Sequence, residues 1–185
     1  MPRDFDGSVS EYEDLLIEQA QKTKINILLL GPGINTESTG AKLRKYIASK
    51  CKDERTAIYG ERDDLINAFK RVIGKYYDLC NYEFHLATKV DAIIIIPDSA
   101  GSLVELGLFS LEGDIHPKTL VLFSSEYNPN NEPDFISLGP KKSYNIRGAS
   151  VKTVNYNDTK LVWDIVDDFL EKRKAIKFLK KRMGL

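Results

Sequence analysis

The residues best suited to chemistry stand in Pro97-Asp98-Ser99-Ala100-Gly101-Ser102-Leu103-Val104-Glu105, directly after the apolar run Ala92 to Ile96. A buried strand followed by a polar, glycine-containing loop delivers side chains to the carboxyl edge of a sheet. The helix predicted to follow, from Ser102, carries a carboxylate in its first turn. Its dipole is expected to hold Glu105 ionised, as a nucleophile or an oxocarbenium-stabilising anion requires. A purely structural reading fits the same residues. Ser102-Leu103-Val104-Glu105 has capping-box spacing, and Asp98 and Ser99 can shape a turn.

Two further loops reach the same edge. Gly31-Pro32-Gly33 ends the apolar run Ile25 to Leu30 and leads through Ser38-Thr39-Gly40 into a helix. Such a loop can offer backbone N–H groups to a phosphate, or can be a plain strand-to-helix turn capped by Ser38 or Thr39. Neither named glycine motif is complete: Thr36 stands where the dinucleotide fingerprint needs its third glycine, and Gly40-Ala41-Lys42 breaks the P-loop. Glu61, in Tyr59-Gly60-Glu61-Arg62-Asp63, follows the next strand and is either a third site carboxylate or a helix-initiating acid. His85 reads as a surface or packing residue, His116 sits in a turn beside Pro117, and Asp91 reads as a turn acid.

The elements that must position these residues alternate. A leading helix over Ser10 to Lys22 precedes the strand Ile25 to Leu30, whose continuous apolar character suits a parallel strand covered on both faces. Then come a helix to about Cys51, a strand at Thr56 to Tyr59 and a helix from Asp63 to Tyr77. A helical stretch at Asn81 to Lys89, the strand Ala92 to Ile96, the helix Ser102 to Leu111 and the strand Thr119 to Ser124 follow. Tyr127 to Ser143, rich in Asn, Pro and Gly, reads as one long irregular stretch, a functional lid or an insertion. A last strand, Val151 to Tyr156, leads into a closing helix over Leu161 to Met183, where Leu161, Trp163, Ile165, Val166, Phe169 and Leu170 are expected to form a core stripe. The pattern predicts a single α/β domain over 1–185. It is a doubly wound, Rossmann- or flavodoxin-like parallel sheet of about five strands with helices on both faces. Residues 1–22 form its leading segment and 158–185 its closing one.

Gly101-Ser102-Leu103-Val104-Glu105-Leu106-Gly107 resembles the Gly-Ser/Thr-x-x-Glu-Leu-Gly signature of nucleoside 2-deoxyribosyltransferases, whose glutamate attacks the anomeric carbon and displaces the nucleobase. The resemblance implies that Glu105 is the nucleophile. It also implies that Glu83, eight positions before Asp91, contacts and protonates the leaving base, and that Asp98 or Ser102 holds the sugar hydroxyls. Gly31, Pro32, Gly33, Glu61, Ser99 and Gly101 complete the expected substrate-binding set. Asp98 lies seven residues before Glu105, and Ser99 fills the family's acidic place at six. The aromatic residue that often ends the family's first strand is replaced by Leu28-Leu29-Leu30-Gly31-Pro32. The stretch Glu83 to Ser110 is also similar to deoxyribosyltransferase-like effectors of bacterial retrons and other anti-phage systems, which implies a defence-system partner. Pro97 to Glu105 further resembles the glycine-rich loop of phosphoribohydrolases related to lysine-decarboxylase-like proteins. The implied activity is cleavage or transfer at the N-glycosidic bond of a nucleoside, nucleotide or NAD-like substrate. The alternative is a non-catalytic nucleotide sensor of the same fold.

Composition narrows the field further. Lys plus Arg and Asp plus Glu each number 27, so no global field favours coating of nucleic acid. Residues 1–20 nevertheless carry six acids against Arg3, and residues 171–185 seven basic residues against Glu171. That basic tail reads as a solvated helix face, or as a contact for nucleic acid or a partner. Two cysteines without CxxC spacing imply a reducing cytoplasm, and no metal or other cofactor is expected. No apolar run is long enough for a membrane segment. Because oxocarbenium chemistry benefits from a shielded pocket, a homo-oligomer is expected, a dimer or an assembly of dimers, with the pocket at or near the interface and Tyr127, Asn128, Phe135, Lys141 and Lys142 as candidate lid residues.

Overall fold

Successive side chains along each central strand enter opposite cores, and that alternation builds the two layers around the sheet. The computed structural model describes residues 9–76, 78–126 and 135–184. In β1 (Ile25–Leu30), Ile25, Ile27 and Leu29 face one core, and Leu28 and Leu30 the other. β3 (Ala92–Ile95) and β4 (Thr119–Ser124) divide in the same way. Apart from Asn26 near the start of β1 and Ser124 at the end of β4, the residues of these strands are buried on both faces, which is why they read as apolar runs. β2 (Arg55–Tyr59) and β5 (Ser150–Val154) are the edge strands and are less completely buried.

All pairings are parallel, in the order β2-β1-β3-β4-β5. The chain therefore runs outward from β1 to β2 and then back across to β3. This places the topological switch between β1 and β3, with Leu30 opposite Ile95 at their carboxyl ends. A doubly wound sheet of five parallel strands was the expectation, and the structure has it.

α2 (Thr39–Lys50) and α8 (Thr159–Met183) cover one face through Leu43, Ile47, Val162, Val166 and Leu170, with Trp163 packed against this core; Leu161, expected in the stripe, is exposed, and its neighbour Val162 takes the core position. α4 (Leu79–Lys89) and α5 (Ala100–Phe109) cover the other through Ala87, Leu106 and Phe109. Each fully buried Leu, Ile or Phe contributes about 1.5–3 kcal/mol relative to exposure, and they stand on both faces. α1 (Val9–Gln21) packs on α8. α3 (Asp63–Ile73), followed by the 3-10 turn Gly74–Tyr76, buries no residue. Among the described residues no helix is long and apolar enough to cross a membrane.

Two expectations are corrected. The helix expected from Ser102 starts at Ala100, because Ser99 is its N-cap and forms the capping box with Ser102. The stretch expected to be irregular from Tyr127 to Ser143 holds α6 (Phe135–Leu138) and the start of α7 (Pro140–Ile146). Pro140 suits the first turn of a helix, and Tyr144 gives α7 an apolar anchor in the second core. Tyr127 and Asn128 lie outside the described residues.

Candidate functional site

Three strands deliver their following loops to one crevice at the carboxyl edge of the sheet. After β1 come Gly31-Pro32-Gly33, after β2 Gly60-Glu61, and after β3 Pro97-Asp98-Ser99. The first and third loops were expected side by side, and they touch. A Cβ built on Gly31 would lie 3.2 Å from Ile96, and the Asp98 Oδ2 accepts from the Gly40 N–H at 2.9 Å.

Arg44 organises the crevice. Its side chain is 1% exposed, and its two terminal nitrogens grip Glu61 as a fork, at 2.6 and 2.8 Å. The same nitrogens donate to the carbonyls of Leu29 (2.5 Å), Pro32 (3.0 Å) and Gly31 (3.3 Å). The guanidinium also lies 5.0 Å from the centre of the Tyr59 ring. One buried cation thus fixes the end of β1, the loop after it and the acid after β2. A planar fork does this where a lysine could not.

Beside Arg44 stand the two glutamates singled out from the sequence. Glu83 of α4 and Glu105 of α5 share a side-chain hydrogen bond. Glu83 Oε1 lies 3.4 Å from where a Gly60 Cβ would be, so the glycine leaves room for it. Burial is the main cause that raises the carboxyl of Glu105, to about 8, and the nearby Glu83 and Glu61 add to it while Arg44 opposes. Glu83 is raised as well, first by burial and then by Glu61, while its bond from Glu105 and the charge of Arg44 pull the other way. In the resting pair the proton therefore sits on Glu105, which donates to Glu83. Glu105 was expected in the first turn, ionised by the helix dipole. It stands in the second turn of α5 and is held protonated, because burial and a neighbouring acid outweigh a dipole whose effect fades within one turn. The capping box expected between Ser102 and Glu105 is likewise replaced by that of Ser99 and Ser102.

The remaining expected site residues are engaged with the backbone. Ser102 Oγ is buried and accepts from the N–H groups of Asp98 (3.1 Å) and Ser99 (2.9 Å). Asp98 is exposed but spends Oδ2 on α2, whose N-terminus Ser38 also caps through the Ala41 N–H at 3.2 Å. Gly33 turns its carbonyl to Thr36, and Gly101 is exposed on α5. His85 is exposed beside Phe69, away from the pair. Among the described residues no group of three His, Cys, Asp or Glu side chains is arranged to hold a metal ion.

The seat of Asp98 on Gly40 gives a test. A Cβ at Gly40 would come 2.5 Å from Oδ2 and 2.6 Å from the Cβ of Asp98, which sits one bond from the backbone and cannot simply swing aside. Helix propensity alone favours Gly40→Ala by about 1 kcal/mol. The steric conflict reverses the sign, and a loss of about 1–3 kcal/mol is expected in urea unfolding. A stabilised variant would show that the two loops are not held together as described.

Arg44 and Tyr144 are the residues that reading the sequence missed. Gly40, Leu43, Arg44 and Ile47 follow helical spacing, so Arg44 occupies a core position of α2, and that was the available signal. For Tyr144 the signal was Pro140, a helix start inside the supposed loop.

Residues 37–183 match the model of the STM3845 retron effector protein, a span that takes in α2 to α8 and Arg44, Glu61, Glu83 and Glu105. The chain is also 28% identical over 162 residues to a protein of Escherichia coli retron Ec86 whose name couples "ribosyltransferase" with "DNA-binding protein". The aligned region covers 87% of this chain and 50% of that protein, so the chain spans half the length of the curated relative. With most of its length matched, the chain belongs to the STM3845 retron effector family.

Proposed function

We propose that this protein cleaves or transfers the N-glycosidic bond of a nucleoside, nucleotide or NAD-like substrate, in the manner of nucleoside deoxyribosyltransferases, as the effector of an anti-phage retron. The observation that carries the reading is the hydrogen-bonded pair Glu83 and Glu105 in the switch-point crevice. The ribosyltransferase in the relative's name supports it.

The pair holds one proton for two roles. Substrate binding sets the leaving base against Glu83 and C1′ against Glu105, and the proton passes across their hydrogen bond to Glu83. The Glu105 carboxylate then forms a bond to C1′ as the C1′–N bond breaks. The electron pair goes to the base nitrogen, and Glu83 protonates the base. Water or an acceptor base next attacks C1′, Glu83 takes the proton, and Glu105 leaves. Carboxyl groups close enough to share a hydrogen bond favour this double displacement over direct attack by water, which needs a wider gap. Arg44 and Glu61 keep the pair in register.

The two usual anchors for a phosphate are already engaged. Asp98 and Ser38 occupy the N-terminus of α2, and the terminal nitrogens of Arg44 are bonded to Glu61 and to carbonyls. A substrate phosphate therefore extends away from the pair, and Lys141, over the Phe123 ring near the end of β4, is a candidate to meet it. Incubation with a panel of nucleosides, nucleotides and NAD, followed by chromatography, is expected to show a free base from at least one member. Release from none overturns the reading.

The pocket is further proposed to lie at or near an interface between copies. α3 exposes Val72 and Ile73, which leaves an apolar patch for a second copy. Light scattering over a dilution series is expected to show a dimer or an assembly of dimers. A fully active monomer at micromolar concentration would exclude the shared pocket.

A further inference from the structure

Tyr144 is wholly buried, yet its hydroxyl has no hydrogen-bond partner among the described residues, and the Oε2 of Glu105 is buried in the same condition. Leaving such groups unpaired costs about 1–3 kcal/mol each, so two of them in one core need a reason. Their placement is not loose. The Tyr144 ring packs in the core with Leu106 and Phe109 of α5 and meets the ring of His116 edge-on at 4.8 Å. α7 is fastened to the C-terminal end of α5, where Ser143 Oγ donates to the Ser110 carbonyl at 2.6 Å and Arg147 to that of Leu111 at 2.9 Å. Tyr144 is thus held against the helix that carries Glu105.

We propose that Tyr144 is a positioning residue of the carboxylate pair: its hydroxyl donates across one water to Glu105 Oε2 and thereby eases passage of the shared proton from Glu105 to Glu83. The charged and titratable groups around Glu105 are Glu83 from α4, Arg44 from α2, Glu61 from the loop after β2 and Tyr144 from α7. Only Arg44 and Tyr144 can favour an ionised Glu105, and the terminal nitrogens of Arg44 are committed to Glu61 and three carbonyls. Burial first and the charge of Glu105 second push the Tyr144 phenol up, so it remains a proton donor throughout the working range. His116 bonds the Phe109 carbonyl through Nε2 at 3.0 Å, and burial holds it neutral, so it brings packing and no competing charge. The step moves one proton from Glu105 to Glu83 and leaves the Tyr144 O–H bond intact. Its purpose rests on the glycosidic reading, but the proton placement itself is measurable without any substrate.

The test is a carboxyl carbon-13 NMR titration of Glu105 in the full chain. Tyr144→Phe keeps the ring and its packing against α5, and is expected to remain folded. Loss of the donor is expected to raise the Glu105 midpoint above its wild-type value. Base release then falls about ten-fold for each pH unit of that rise, because transfer of the shared proton to Glu83 becomes that much less favourable. Incorporation of 3-fluorotyrosine at position 144 retains the hydroxyl as a stronger donor and is expected to move the midpoint down. An unchanged midpoint in both proteins overturns the proposal, whatever the activity. A midpoint that moves as expected, with no base released from any substrate, upholds the proton placement and removes the glycosidic reading instead.

Discussion

Glu105→Gln is expected to lower base release by about a thousand-fold or more while leaving the protein folded and able to bind its substrate. Gln cannot form the bond to C1′, but its amide can still donate to Glu83, so the geometry of the pair survives. No helix cap is lost, because the capping box of α5 consists of Ser99 and Ser102. The effect on stability should run opposite to the effect on rate. Glu105 titrates at about 8 in the folded protein against 4.5 for an ordinary glutamate, so the folded state binds a proton that the unfolded chain has released between those values. The wild type is fully favoured below about pH 4.5 and loses that contribution as pH rises toward 8. Gln has no such dependence. Glu105→Gln is therefore expected to gain in melting temperature relative to the wild type from pH 5 to pH 8. A variant that keeps base release would place the nucleophile elsewhere. One that binds substrate as tightly as a wild type that itself releases nothing would favour a sensor.

Arg44→Met should have the largest effect on stability. The side chain is similar in length and still fills its place in the core, but Glu61 loses its forked partner and the carbonyls of Leu29, Gly31 and Pro32 lose a buried donor. Removing one member of a buried pair costs about 3–5 kcal/mol. Glu61 is 45% exposed and can rehydrate, which points to the lower end, about 3 kcal/mol. For a protein of this size that is a fall of roughly 6–12 °C in melting temperature. Because Arg44 is also the cation that favours ionisation of both glutamates, the same substitution should raise the Glu105 midpoint. The double variant Arg44→Met, Glu61→Gln should be less unstable than the sum of its single changes, since each then removes the partner the other would strand. Full additivity would show that the ion pair is incidental.

Several features of this molecule were legible in the order of residues alone. Unbroken apolar runs such as Leu28-Leu29-Leu30 and Ile93-Ile94-Ile95 mark strands covered on both faces, and their alternation with helical spacing fixes a parallel, doubly wound sheet. That topology in turn requires the loops after β1 and β3 to meet, so the neighbourhood of Gly31, Asp98 and Glu105 follows from local pattern plus a chirality rule. The start of α5 was misplaced because Ser99 and Ser102 are both competent caps. Only the geometry of the turn decides between them.

What only the tertiary structure decided is the electrical character of the site. A glutamate drawn on a helix near its N-terminus looks ionised, because the dipole is the one influence visible in sequence. Three carboxyl groups from α4, α5 and the loop after β2 converge on one buried guanidinium, and burial with mutual repulsion overrides the dipole and leaves a shared proton. Likewise an arginine at a core position of α2 and a tyrosine inside a stretch rich in Asn, Pro and Gly carry no meaning until the chain folds them against Glu61 and α5. Desolvation and charge coupling depend on distances between residues far apart in the chain. They exist only once long-range packing has set those distances.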